Sequence, residues 1–64
     1  MAWFLHIVEQ DDGTWACRHG LIEVDRHEKR SSAIAHQTVL AQEHAPAELI
    51  VHRADGTVEH LGII

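Results

Sequence analysis

Seven histidines and one cysteine are the residues of this 64-residue chain best suited to chemistry near neutral pH. Imidazole titrates at about pH 6.5, and neutral imidazole with thiolate suits zinc or copper. His6, Cys17 and His19 are the candidate ligands. A two-residue turn at Asp12-Gly13 predicts His6 directly opposite His19, with Cys17 two residues away on the same face. A closed zinc site takes about four ligands in defined geometry. The spacing here follows no standard zinc pattern, so packing outweighs a metal site as the expected role. Cys17 falls in mid-strand with no base or cleft beside it in the sequence, which argues against a nucleophile.

The other polar residues read in structural terms. His52 opposite Glu59 is an expected cross-strand charge pair, worth at most about 1 kcal/mol, that sets register. Arg26, Lys29 and Arg30 precede a helix, where free backbone N–H groups can hold an anion. Glu28 interrupts them and no glycine-rich loop follows, so a solvated connector is expected. Ser31 and Ser32 are helix-start residues. No catalytic constellation and no cofactor motif emerges, and the expectation is a non-enzymatic protein without a cofactor.

The elements that must position these side chains are short. Trp3 to Gln10 and Thr14 to His19 read as strands around Asp12-Gly13, and Glu48 to Arg53 and Thr57 to Leu61 as strands around Asp55-Gly56. Asp-Gly suits a tight hairpin turn with positive φ. The pairing predicts Val8 with Cys17, Gln10 with Trp15, His52 with Glu59 and Ile50 with Leu61. Gly20 to Asp25 either extends the second strand past a bulge or adds a short third one. Arg26 to Arg30 is a charged connector. A helix is predicted over Ser31 to His44, with Ile34, Leu40 and Ala41 as its buried stripe, and Pro46 stops it.

The expected fold is therefore α+β: two antiparallel hairpins in a four-stranded sheet with one helix on one face, ββαββ. Neither sheet face alternates cleanly between apolar and polar residues, as a sheet with one wet side should. One helix covers one face, so the second is assigned to another copy of the chain. Trp3, Phe4, Trp15, Ile50, Leu61 and Ile63 are the candidate interface residues. Tryptophan is enriched at interface hot spots.

Length and charge bound the rest. A chain of this size forms one domain, residues 1–64, and buries only about 60% of its unfolded surface. A single cysteine allows no internal disulfide, so self-association is the natural supplement. The lone thiol fits a reducing compartment, and a cytoplasmic location is expected. The apolar start lacks the basic segment and cleavage site of a signal peptide, and no apolar run approaches the roughly 20 residues that span a bilayer. A formal charge of −5 argues against general nucleic-acid binding, which rests on neutralising phosphates. A nucleic-acid-associated regulator resembling a small antitoxin, and histidine-mediated metal binding, are the competing functional classes.

The order of short motifs is also familiar. His6-Ile7-Val8, Asp12-Gly13-Thr14-Trp15-Ala16, the Ala33-Ile34 helix start, and Glu48 to His52 followed by Asp55-Gly56-Thr57-Val58 resemble the short bacterial proteins grouped as domain of unknown function 2188. The resemblance runs from about Leu5 to Leu61. The family's Thr-Lys helix entry reads Glu28-Lys29-Arg30-Ser31 here, and its aromatic near the chain end is replaced by Gly62-Ile63-Ile64. The resemblance implies a small α+β fold and brings no catalytic residues with it.

Overall fold

The structure, a computed structural model, describes residues 3–64. Its geometry starts from two turns of the same sequence type. In the first, Asp12 Oδ1 accepts hydrogen bonds from the Thr14 N–H (3.0 Å) and hydroxyl (2.6 Å). In the second, Asp55 Oδ1 does the same for Thr57, at 2.9 and 2.7 Å. Gly13 (φ +87°) and Gly56 (φ +91°) occupy the left-handed region that a side chain would strain. The closing bonds run between Gln10 and Thr14 and between Arg53 and Thr57. Each loop therefore holds three residues, Asp11 to Gly13 and Ala54 to Gly56, and not the two expected. This is the three-residue hairpin in which glycine takes the left-handed position.

One extra loop residue moves every pairing by one and changes which side chains share a face. Strand β1 (Trp3–Glu9) pairs with β2 (Trp15–His19) so that His6 faces Arg18, Ile7 faces Cys17 and Val8 faces Ala16. The expected His6–His19 and Val8–Cys17 pairings are overturned. Strand β4 (Ala47–His52) pairs with β5 (Val58–Ile63), with His52 against Val58 and Val51 against Glu59. The expected His52–Glu59 and Ile50–Leu61 pairings are overturned in the same way, and Ile50 meets His60. A bulge between Leu49 and Ile50 then shifts the register again, so Leu49 meets Gly62.

The sheet has five strands, not four, in the order β3-β2-β1-β4-β5. The additional strand is β3 (Ile22–His27), reached through a turn at Gly20 (φ +62°). Arg26 and His27 thus belong to a strand and not to a connector. The two hairpins also join differently from a simple antiparallel sheet: β1 and β4 are parallel, Leu5 against Leu49 and Ile7 against Val51. Parallel neighbours need a long crossover that includes a helix, and helix α1 (Arg30–Glu43) supplies it. The most apolar strands, β1 and β4, take the centre, where burial stabilises most. Exposed, charged β3 takes an edge.

Helix α1 starts and ends one residue earlier than the expected Ser31 to His44. Its buried positions are Ala33, Gln37 and Ala41, four residues apart, with Ile34 and Leu40 partly buried beside them. Two small clusters form the core. Leu5, Ala41, Ala47 and Leu49 pack with Trp3 and Leu40; Ile7, Cys17, Ala33 and Val51 pack with Trp15 and Ile34. The alanines let the helix backbone approach the strands closely enough for Gln37 to reach them. Its Nε2 donates to the carbonyls of His6 (3.0 Å) and Arg18 (3.1 Å), while the whole side chain is shielded from water. At the helix start Arg30 opposes the helix dipole, and Glu59, which also pairs with Arg53, offsets that charge.

Gln37 yields a direct test. Gln37→Ala leaves a cavity and removes the side-chain donor from two carbonyls, and it is expected to lower the unfolding free energy by about 2–4 kcal/mol. Gln37→Met keeps the volume and is expected to cost about 1–2 kcal/mol by urea denaturation. Gln37 Oε1 is buried without a partner, so a Gln37→Met variant more stable than the wild type would show that this cost exceeds what the two donor bonds contribute.

Candidate functional site

Strand alternation divides the sheet cleanly. Leu5, Ile7, Cys17, Leu49 and Val51 point toward the helix, as their packing shows. Phe4, His6, Val8, Ala16, Arg18, Glu48, Ile50 and His52 therefore point to the other side, together with Val58, His60 and Ile63 of β5. Among the described residues no element covers this second side, and it is the candidate site.

Two histidines from the parallel pair meet at its centre. His6 Nδ1 lies 2.8 Å from His52 Nε2, with the ring centroids 5.0 Å apart and the planes tilted by 42°. One ring must donate and the other accept, so the pair is intact only while at least one imidazole is neutral. Burial, first, and then the nearby His52 and Arg18 charges hold His6 below its usual value of 6.5, with Glu48 pulling weakly the other way. Arg18 stands on the β2 side of the pair, and its Nε is buried without a hydrogen-bond partner. Glu48 stands on the β4 side and meets His60 Nδ1 at 3.0 Å. Apolar side chains surround this polar centre. Phe4 is 50% exposed, Val58 49% and Ile63 75%, whereas Ile50, beneath the histidines, is 7% exposed. The face is mixed, more polar at its centre than the sequence implies.

The other expected site residues lie elsewhere. The sheet separates His6 from Cys17 and His19, which are on the helix side, so these three cannot share one ion. Cys17 is buried against the Ala33 carbonyl, with its thiol pushed up to about 11 by burial and by Asp25 and Glu23. Trp3 is stacked between His19 and His44, with both centroid separations 3.8 Å and interplanar angles of 12° and 9°. Trp15 packs on the second core cluster. Of the six candidate interface residues, Phe4, Ile50 and Ile63 occupy the open face, Trp3 and Trp15 lie on the helix side, and Leu61 sits in β5 next to the register shift. Arg18 and Glu48 escaped sequence reasoning. Their positions depend on the three-residue loops and on the parallel β1–β4 pairing, and neither hairpin alone signals that pairing.

This arrangement defines a small α+β domain, one helix against a mixed five-stranded sheet whose reverse side no described element covers. The chain belongs to the family described as an uncharacterized protein conserved in bacteria, DUF2188, which it matches over residues 5–60. No curated protein and no solved structure matches it. Among the described residues, no helix is long and apolar enough to cross a membrane.

Two measurements check the site. NMR titration is expected to place the His6 midpoint below 6.5, and His52→Ala is expected to raise it only partway, because burial remains the larger cause. Since the unfolded chain takes up this proton first, the contribution of His6 to stability is present above about pH 6.5 and falls as pH drops through the folded midpoint. A His6 midpoint at or above 6.5 contradicts the geometry. Cys17 is expected to resist iodoacetamide at mildly alkaline pH in the native protein and to react within minutes in urea; rapid native alkylation would place it at the surface.

Proposed function

We propose that the chain is a non-enzymatic assembly module whose open sheet face closes on a second copy of itself. The observation that carries this reading is a face on which Phe4, Val58 and Ile63 stay exposed around Arg18, whose Nε is buried without a hydrogen-bond partner. Covering exposed apolar side chains stabilises by about 25 cal/mol per Å² buried, and a second copy of the face can cover them.

The layout of charge supports a symmetric pairing. Arg18 on β2 and Glu48 on β4 lie on either side of β1. A two-fold axis running along β1 sets β2 of one copy over β4 of the other, so each Arg18 stands over Ile50 of the second copy, two residues along β4 from Glu48, a span its long side chain can bridge. Phe4 and Ile63 then contribute the apolar rim around the two His6–His52 pairs. Isologous contacts of this kind close as dimers and do not propagate.

Sedimentation velocity tests the reading. The wild-type protein is expected to be a dimer at tens of micromolar. Arg18→Glu and Glu48→Arg are each expected to weaken association by about tenfold or more, and the double exchange to restore most of it. A wild-type monomer at that concentration, or a double variant no better than the singles, overturns it.

A further inference from the structure

The helix side of the sheet carries a second group of chemically competent side chains, at the β3 edge and independent of the open face. Asp25 and His27 alternate on β3, and His36 comes from α1. Their ligand atoms all lie within 4.8 Å of one another. The two Asp25 oxygens have different surroundings: Oδ1 accepts the Arg26 N–H at 2.8 Å, whereas Oδ2 faces His27 Nε2 at 3.1 Å and His36 Nδ1 at 3.6 Å.

These separations match a coordination shell. An ion with arms of about 2.0 Å in tetrahedral arrangement spaces its ligands by about 3.3 Å, and the two Asp25 distances lie on either side of that value. The His27 and His36 rings have centroids 5.3 Å apart and are tilted by 50°, so they do not stack on one another. His27 Nε2 is shielded from solvent and, apart from its 3.1 Å approach to Asp25 Oδ2, has no polar partner among the described residues. An unpartnered ring nitrogen beside a carboxylate oxygen is what an ion held between them would require.

We propose that Asp25, His27 and His36 bind one zinc ion, or a similar borderline divalent transition metal, with solvent completing the shell on the exposed side of Asp25. Two imidazoles and one carboxylate select this class over calcium or magnesium, which take mainly oxygen ligands. Bound metal ties the edge strand β3 to helix α1. The site uses none of the residues in the proposed dimer contact, so the two readings stand or fall separately.

Isothermal titration of the metal-stripped protein with zinc chloride at about pH 7.5 tests it. One ion per chain is expected. His27→Ala, His36→Ala and Asp25→Asn are each expected to weaken binding by about tenfold or more, with unchanged circular dichroism because all three side chains lie at the surface edge. His6→Ala and His52→Ala are expected to change it by less than about twofold, and the ring resonances of His27 and His36 to shift on zinc addition. Zinc affinity equal in the wild type and a His27→Ala/His36→Ala double variant, or lost in His6→Ala, overturns the proposal and leaves Asp25 with an ion-pair cluster only.

Discussion

A single helix reaches the backbone of this sheet because its inward stripe is Ala33, Gln37 and Ala41. The alanines remove bulk, and Gln37 spends both amide protons on the carbonyls of His6 and Arg18. That contact joins α1 to the β1–β2 pair at its middle and separates the two apolar clusters. It also fixes the backbone on which the open-face side chains stand. His6 and Arg18 project away from the helix at the same residues whose carbonyls Gln37 holds from beneath. The core and the candidate site are therefore two sides of one pair of residues. A domain of this size has few other contacts to fall back on.

The open face acquires its character from the parallel pairing of β1 and β4. Only that pairing brings His6 within reach of His52, from positions far apart in the chain. A neutral ring is needed to keep the two bonded, and burial favours it. Around this polar centre the apolar residues stay exposed, which a lone domain gains nothing from. On the central strands of this face Arg18 stands on the β2 side and Glu48 on the β4 side, while the Glu23–Arg26 ion pair of β3 lies beyond Arg18. The proposed dimer would cover this face, and the acidic charge of the chain disfavours a polyanion there.

Much of the fold was legible in the residues. Asp-Gly marked both hairpins, the small-residue helix ended just before Pro46 as its proline required, and short motifs pointed to the family. The register errors have one physical origin. The Thr after each Asp-Gly satisfies the aspartate from within the loop, lengthening it from two residues to three, and a single added residue exchanges the two faces. That exchange moved His6 away from Cys17 and His19 and released His52 from Glu59. Strand β3 was half legible: Gly20 announced a break, but Ile22 to Arg26 is exposed along its length and offers no burial pattern to read. The parallel β1–β4 contact had no local signal at all, because it depends on where the helix returns the chain. His27 and His36 lay unnoticed for the same reason, one expected in a connector and the other on a helix face with no known neighbour.

The claim at the centre of this account is that the side of the sheet opposite α1 is where the molecule meets its like. Isotope-filtered NMR on a mixture of labelled and unlabelled protein examines that contact residue by residue. Intermolecular cross-peaks are expected for Phe4, Val58 and Ile63 and absent for Leu5, Ile7 and Val51 beneath the helix. Intermolecular cross-peaks confined to the helix or the β3 edge, or none at concentrations where the protein remains folded, would contradict it.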